Sequence, residues 1–423
     1  IQSQQKYGLL DINLYVSNED SIAPIKLERQ WQLAVRPAWP AIQRNQKALL
    51  NTQQSVSLNI ASDDLMPETL KGELLVSNQP PINLAEHLQH LLKYPYGCLE
   101  QSTSSSFPWL FAGSEKMSLL GLDNLKIEDK PIDFSKRTQY LAQGVKKISA
   151  KQLSNGGFAL WDNQSSEEMW LTVYASHFLL KAKEQGVAVP GEVLKPAIKR
   201  LQQYLRSSRS DYNYRYSEYP EHLTLAYKSY AAYVLSSIKQ APLGTMRTLF
   251  DYHKKDARSG LPLMHLGIAL AQQGDLIRSQ KAIAAALEIK REANQYLGDY
   301  GSTLRDLSLM LDALIRFNSD HAGIERLLTE LTDELGKRQW LSTQERNALF
   351  MAGAALKQNA QAQWGALLIT AATTSDGLEI SQQGDFKKYL SGEEVSQEIL
   401  LTSRNKDRLY ADLNISAYTQ NPP

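Results

Sequence analysis

The only cysteine of this 423-residue chain lies in the stretch Tyr94-Pro95-Tyr96-Gly97-Cys98-Leu99-Glu100-Gln101. Residues three apart share one face of a helical turn, so the side chains of Cys98 and Gln101 can touch. A thiolate at Cys98 can attack the side-chain carbonyl of Gln101, expel ammonia and leave an internal thioester. The spacing therefore predicts an activated acyl group stored inside a folded domain.

The residues before the cysteine favour the start of a helix. Gly97 is permissive in its backbone angles, and Pro95 suits a first helical turn, where its missing N–H would be unpaired anyway. A helix N-terminus favours a thiolate and stabilises negative charge on the attacked carbonyl oxygen. A lone cysteine is also often a small buried hydrophobe, so an inert thiol stays open as the alternative.

Residues 97–101 resemble the thioester signature of the α2-macroglobulin and complement family, Gly-Cys-Gly-Glu-Gln, with Leu99 in place of the second glycine. Together with the preceding Tyr-Pro-Tyr, this form is similar to the bacterial members, especially the enterobacterial type. The resemblance is strongest over residues 82–373. Further stretches that resemble family segments are Asn155-Gly156-Gly157-Phe158 with Trp161, Trp170-Leu171-Thr172, and Asp299-Tyr300-Gly301-Ser302-Thr303 with Arg305-Asp306.

The resemblance implies part of a broad-spectrum protease inhibitor, and not an enzyme that turns over. In this family a protease cleaves a bait region elsewhere in the molecule, and the rearrangement exposes the thioester. A lysine amine of the protease then attacks the carbonyl of Gln101, forms an isopeptide bond and releases the thiol of Cys98. The implied partners are target proteases and other domains of the same polypeptide, and no cofactor is implied.

The bacterial members of the family are periplasmic lipoproteins, and some are linked with a penicillin-binding protein that builds peptidoglycan. The resemblance therefore implies a periplasmic protein that is lipid-anchored to the bacterial inner membrane. The first residues carry neither an initiator methionine nor a secretion signal, and the last ones resemble a cut between elements. We therefore expect a C-terminal fragment of a longer polypeptide.

Hydrophobic periodicity divides the chain into three blocks. Residues 1–80 alternate between apolar and polar positions and predict strands. Residues 81–373 repeat apolar positions every three or four residues, which predicts about a dozen helices in stacked hairpins. Residues 374–423 return to strand-like alternation. The pattern predicts a multidomain α+β fold.

The resemblance implies what these blocks are. The middle block is expected to be the thioester domain, an α/α-toroid of helical hairpins inserted in a CUB domain that is a β-sandwich. Residues 1–80 would supply the end of a macroglobulin-like domain, the first part of the CUB domain, or both. Residues 374–423 would supply the second part of the CUB sandwich.

The other residues near the thioester have competing interpretations. Tyr94 and Tyr96 are expected either to pack at the helix entry or to exclude water, whose attack would hydrolyse the acyl group. Glu100 is expected to be solvated or paired at the helix start, with no chemical role. His222 is a candidate for assisting transfer, because a histidine from a later helical turn does so in some complement members; an ordinary packing or surface histidine is the favoured alternative.

Composition and spacing argue against other kinds of site. The net charge of +1 gives no electrostatic case for nucleic acid, although Arg215 lies among the tyrosines of residues 212–219. His87 and His90 are three apart but have no visible third ligand, so no metal site is predicted. No apolar run approaches the roughly 20 residues that a membrane helix needs.

Three rival functions remain open. A cysteine-nucleophile enzyme of the transglutaminase or peptidase type needs a histidine base within reach of Cys98 and keeps a free thiol of low pKa. A prenyl or terpene enzyme on a toroid needs an acidic cluster facing its cavity, whereas Asp63-Asp64 lies in the predicted β-region. An inert interaction module would bury Cys98, and reactivity towards small amines separates it from a covalent trap.

Overall fold

The computed structural model describes residues 7–17, 26–37, 39–78, 82–93, 97–113, 120, 122, 125–127, 130–207, 218–292, 295–338, 340–359, 363–373, 376–405 and 408–421. The chain divides into two compact units. Residues 1–81 and 361–423 form one unit from both ends of the chain, and residues 82–360 form the other. The second unit thus interrupts the first in chain order.

The unit formed by the two ends is built from antiparallel strands. They are β1 (Gly8–Ser17), β2 (Lys26–Val35), β3 (Ile42–Leu50), β4 (Ser55–Leu58), β5 (Lys71–Ser77), β8 (Trp364–Ile369), β9 (Leu378–Gln382), β10 (Phe386–Leu390), β11 (Ile399–Ser403) and β12 (Leu409–Ala417). One-turn helices lie at Pro67–Thr69 and Gly392–Val395. The strands β1 and β2 pair with each other as a separate ladder, and the others form two four-stranded sheets.

The two four-stranded sheets form a sandwich. Their strand orders are β10-β5-β12-β3 and β4-β11-β8-β9, so each sheet mixes strands from both ends of the chain. One buried apolar core joins the sheets, with Leu74 and Leu413 from the first and Leu58, Trp364 and Leu401 from the second. Neither end of the chain can bury this core alone, so the β-sandwich requires both.

The unit of residues 82–360 is helical. Its helices are α1 (Leu84–Lys93), α2 (Leu99–Ser106), α3 (Arg137–Ser149), α4 (Met169–Glu184), α5 (Gly191–Arg206), α6 (Pro220–Ser237), α7 (Leu243–His253), α8 (Leu261–Gln272), α9 (Leu276–Glu288), α10 (Thr303–Phe317), α11 (Gly323–Gly336) and α12 (Thr343–Asn359). Short 3₁₀ turns lie at Phe107–Leu110, Phe134–Lys136 and Lys254–Asp256, and two-residue strands β6 (Lys126–Ile127) and β7 (Lys130–Pro131) pair. No helix among the described residues is long and apolar enough to cross a membrane.

Six helices form a closed inner ring. The helices α2, α4, α6, α8, α10 and α12 pack each on the next, and α12 returns to α2. The inner helix α4 is buried along nearly its whole length, whereas the outer helix α5 buries a single face. This is the double-layered arrangement of an α/α-toroid, and the predicted fold class is confirmed.

The inner helices run in one direction. The C-terminal residues of α4, α6, α8, α10 and α12 line a single cavity of about 390 Å³, among them Glu184, Ser237, Gln272, Arg316 and Gln358. The N-termini of the inner helices, including that of α2 beside Cys98, therefore lie towards the opposite end of the ring. The thioester motif is not part of this cavity.

The helical block ends earlier than the sequence pattern predicts. The expected boundary at residue 373 is wrong, because Trp364–Ile369 form strand β8 in the sandwich. Buried and half-buried residues alternate along β8, and the Trp364 indole N–H donates to the Gly384 carbonyl at 2.6 Å. A six-residue apolar segment is too short for periodicity to separate strand from helix.

The helix α3 packs closely on α2 at Gly144. A Cβ at this position would lie 2.3 Å from Ser106 Oγ and 2.8 Å from Ser106 Cβ. We expect Gly144→Ala to lower the free energy of unfolding by about 1–3 kcal/mol, because overpacking outweighs the gain in helix propensity. Urea denaturation measures this change. Gly244→Ala in α7 is the matched control, since nothing lies within 4 Å of its Cβ position; equal effects of both variants would contradict close packing at Gly144.

Candidate functional site

Cys98 is the N-cap of α2. Its backbone is extended, with φ −63° and ψ 167°, and its sulfur accepts a hydrogen bond from the Gln101 backbone N–H at 3.5 Å. The Cys98 carbonyl accepts the first helical hydrogen bond from the Ser102 N–H at 2.9 Å. The side chain of Cys98 is buried, with 5% of the residue exposed. The helix therefore begins at the thioester motif, as the sequence predicts.

The positions of Cys98 and Gln101 are those of a capping box. In that motif an N-cap side chain bonds the backbone of the N3 residue, and the N3 side chain turns back towards the N-cap. Here a thiol stands at the N-cap and Gln101 at N3, and the Gln101 Oε1 is buried without a hydrogen-bond partner among the described residues. The structure thus brings together the predicted pair, with no competing bond to the carbonyl oxygen in the described part of the chain.

The thiol of Cys98 is protected from ionisation. Burial raises its pKa, the hydrogen bond from the Gln101 backbone N–H lowers it in part, and the Glu100 carboxylate raises it further. The helix N-terminus acts on the thiol pKa in the expected direction, but in the resting fold burial outweighs it and keeps the thiol pKa raised. No hydrogen bond joins a histidine to Cys98 within the described residues. Both findings weigh against a cysteine-nucleophile enzyme.

Glu100 is buried and paired at the helix start, so the structure favours the paired alternative over a solvated side chain. Only 7% of the residue is exposed, and its carboxylate bridges α2 to the first turn of α12. Its hydrogen-bond donors are Ser104 Oγ at 2.6 Å and Gln344 Nε2 at 2.9 Å to Oε1, and Thr343 Oγ1 at 2.7 Å to Oε2. The positive end of the α12 dipole favours a carboxylate at this place.

The structure describes Gly97 and Leu99 among the residues that flank the pair. Gly97 is exposed, its φ lies outside the left-handed region, and a Cβ there would meet nothing within 4 Å, so the backbone does not require glycine. Leu99 is fully buried, and its N–H donates to the Leu160 carbonyl at 2.7 Å. Tyr94 and Tyr96 lie outside the described residues, and their shielding role stays a prediction.

His222 belongs to a buried cluster of charges, apart from the thioester. Its Nδ1 accepts the Arg258 backbone N–H at 3.0 Å, and its Nε2 lies 3.7 Å from Asp299 Oδ2. Only 1% of His222 is exposed. Because both ring nitrogens face groups of this cluster, the structure favours the packing alternative over assistance to transfer.

The centre of the cluster is Asp299. Its Oδ2 accepts from Arg291 at 2.6 Å and from Arg305 at 2.9 Å, and Arg291 Nε also donates to Asp306 at 2.8 Å. The Arg305 guanidinium lies over the Trp170 ring, 4.9 Å from its centroid. Sequence reasoning singled out residues 299–306 only as a resembling segment. The missed signal was a pair of opposite charges in the first turn of a largely apolar helix.

Comparison with known proteins identifies the family of the chain. Residues 64–217 match the family model described as the A-macroglobulin TED domain. The chain therefore falls in the class of thioester-domain proteins, because it forms a toroid with the thioester motif at the N-terminus of an inner helix. The α2-macroglobulin of Escherichia coli (strain K12) is 39% identical over 343 residues, which are 80% of this chain and 20% of that protein.

Solved structures of bacterial α2-macroglobulins are similar over nearly the whole chain. Native α2-macroglobulin from Escherichia coli, spanning domain MG7 to the C-terminus, matches with a TM-score of 0.75 and 34% identity, over 99% of this chain and 64% of that one. Salmonella α2-macroglobulin reacted with methylamine matches with a TM-score of 0.73 and 36% identity, over 99% and 26%. The chain belongs to the α2-macroglobulin family. It spans about a fifth of the length of the curated relatives that it matches.

Proposed function

We propose that this chain is the thioester-bearing part of a protease inhibitor, in which the acyl group of Gln101 captures an attacking protease covalently. The observation that carries the proposal is the placement of Cys98 at the N-cap and Gln101 at N3 of one buried helix start, with the sulfur 3.5 Å from the Gln101 backbone nitrogen. The Gln101 carbonyl oxygen supports it, because no described residue holds the group that must react.

The chemistry balances without a cofactor. In formation, the Cys98 sulfur attacks Cδ of Gln101, the C–N bond breaks, and the thiol proton leaves with ammonia. In capture, an amine attacks the same carbon, its C–N bond forms and the C–S bond breaks. The amine gives up a proton, and Cys98 regains its thiol. Each molecule carries one such bond, so it acts once.

Burial sets the lifetime of the stored bond. Water would hydrolyse an exposed thioester, and Cys98 with its neighbour Leu99 is almost wholly shielded. A bulky lysine of a protease is excluded with the water, so capture requires a rearrangement that uncovers the helix start. Cleavage of a bait region in another domain is the trigger that the family resemblance implies.

The methylamine reaction of the Salmonella relative supports an amine-reactive bond in this chain. Methylamine and the side chain of lysine are both primary amines, so they test the same electrophile. The expected periplasmic location, lipid anchor and penicillin-binding protein partner stay predictions of the resemblance.

Intact mass and thiol titration test the proposal directly. We expect a mass one ammonia below the sequence value and no titratable thiol, because Cys98 is the only cysteine. Methylamine should then add its own mass and release one thiol. If the bond has already hydrolysed, a peptide digest will show glutamate at residue 101. An unmodified glutamine together with a free thiol in freshly purified protein would refute the covalent-trap function.

A further inference from the structure

We infer that Glu100 is a positioning residue that slows premature opening of the thioester, because it holds a buried carboxylate in the same helical turn as Cys98. The inference rests on the proposed function, since it concerns the same bond. It assigns a role to the one acidic residue of the motif, which the chemistry of bond formation does not use.

The position of the charge is fixed by its contacts. Glu100 lies at the second position of α2, between Cys98 and Gln101, and three side-chain donors hold its carboxylate. Two of these donors, Thr343 and Gln344, begin a helix more than 240 residues later in the chain. The carboxylate therefore cannot turn away into solvent without breaking the contact between two inner helices.

Among the described residues, two charges act on the thiol of Cys98. They are Glu100 from its own helix and Lys151 from the turn after α3, whose charge acts on the thiol in the opposite direction. The backbone places Lys151 near the motif, because Ala159 N–H donates to the Lys151 carbonyl at 3.1 Å and the adjacent Leu160 carbonyl accepts from Leu99. One charge thus opposes a thiolate at Cys98, and the other favours it.

The opening step exposes this difference. When an amine attacks the Gln101 carbon and the C–S bond breaks, the electron pair of that bond passes to the sulfur, which leaves as a thiolate before it takes up a proton. A carboxylate in a poorly solvated site raises the energy of this developing charge. A neutral group in the same place should therefore let the bond open faster.

Glu100→Gln removes the charge and preserves the contacts. Both Ser104 Oγ and Gln344 Nε2 donate to the same oxygen, which an amide carbonyl can replace. The other oxygen accepts from the Thr343 hydroxyl, whose oxygen can instead accept a hydrogen bond from the new NH2 group. The variant is thus close to an isosteric test of charge.

The experiment measures methylamine-driven opening of purified wild-type and Glu100→Gln protein by thiol release, and then the thiol pKa of the opened forms by alkylation at different pH. We expect opening about threefold to tenfold faster in the variant, together with a lower thiol pKa. Unchanged opening and an unchanged thiol pKa in a variant that forms the thioester would overturn the inference.

Two further variants separate charge from packing. Thr343→Val removes a neutral donor to Glu100 but keeps the charge, so opening should stay near the wild-type rate; acceleration equal to that of Glu100→Gln would overturn the inference. Lys151→Gln should act in the opposite direction and slow opening about threefold. If Glu100→Gln fails to fold or to form the bond, the test passes to Lys151→Gln. An unchanged rate of methylamine-driven opening in that variant overturns the inference.

Failure of this inference differs from failure of the proposed function. Wild-type protein without any thioester, and with an unmodified Gln101, refutes the function itself. Wild-type protein with an intact thioester, whose opening rate responds to neither charge, refutes only the role of Glu100.

Discussion

Cys98→Ser will abolish the loss of ammonia at Gln101 and every covalent adduct with amines. Serine is a preferred N-cap, so the first turn of α2 keeps its cap hydrogen bond to the Gln101 N–H. A hydroxyl is a far weaker nucleophile than a thiol without a base beside it, and no histidine bonds to residue 98 in the described part of the chain. The side chain of Gln101 therefore stays an amide.

The measurement is intact mass before and after methylamine, with a peptide map of residue 101. The variant should show the unmodified sequence mass and no methylamine adduct, whereas wild type should incorporate one. A second variant, Cys98→Ala, loses the cap as well, at a cost of about 0.5–2 kcal/mol in stability. Both variants should lack the adduct, although only the alanine variant should be less stable.

Ser105→Ala is the matched control within α2. The Ser105 hydroxyl donates only to the Ser102 carbonyl, at 3.3 Å, and has no contact with Cys98 among the described hydrogen bonds. This variant should form the thioester and incorporate methylamine as wild type does. If Cys98→Ser still incorporated methylamine at residue 101, activation of the Gln101 acyl group would not depend on the Cys98 thiol. The covalent-trap hypothesis would then be wrong.

The placement of Cys98 and Gln101 at one helix start could be predicted because its geometry is local. An N-cap and an N3 residue are set by three residues of one helical turn, so spacing alone brings Cys98 and Gln101 together. The burial of Glu100 could not be predicted in this way. Its partners Thr343 and Gln344 meet it only when the ring of inner helices closes, and no local pattern records that contact.

The fold likewise has parts set by local sequence pattern and parts set by contacts between distant residues. Helical periodicity predicted the helical hairpins, because amphipathic helices bury a stripe every 3.6 residues, whereas the toroid came from the family resemblance. The sandwich could be predicted as strands but not as sheets, since β5 pairs with β12, which follows the whole helical unit. Ser342-Thr343-Gln344-Glu345 fits the local capping-box pattern, and the structure has it, with Glu345 N–H donating to Ser342 Oγ at 3.2 Å and Ser342 N–H to the Glu345 carboxylate at 2.8 Å. Strand β8 was missed because its six residues fit either period.

His222 illustrates why a candidate residue needs its surroundings. The sequence alone does not show whether the ring of a histidine faces a reacting group or a structural partner. Here Asp299 and the Arg258 backbone face the ring, and these groups lie 77 and 36 residues away in the chain. The buried charges around His222 bear on the stability of the helical unit.

Asp299→Asn will destabilise the helical unit strongly. Asp299 is 1% exposed and accepts from the guanidinium groups of Arg291 and Arg305, which are themselves buried. Asparagine keeps the shape but removes the charge, so the two cations keep only Asp306 as an anionic partner in the described cluster. Removing one partner from a buried ion pair costs about 3–5 kcal/mol, because an uncompensated charge stays in a poorly solvated site.

Urea denaturation at neutral pH measures the effect, and Asp251→Asn is its control. Asp251 pairs with Arg278 at 2.9 Å on the surface, where solvent screens the interaction, so its loss should change the free energy of unfolding little. Equal effects at the two positions would mean that the buried cluster contributes no more than a surface pair.

The loss in free energy of unfolding caused by Asp299→Asn should depend on pH in one direction. Burial opposes ionisation of Asp299, but Arg305, the nearby ring of His222 and Arg291 together hold its pKa well below the usual value. A carboxyl with a depressed pKa stabilises the fold fully above its unfolded pKa of about 3.9, and this contribution is lost as the pH falls towards the folded value. The difference between wild type and Asp299→Asn should therefore be constant from about pH 7 to 5 and shrink below about pH 4. A difference that grew with acidification would show that Asp299 is protonated in the native cluster.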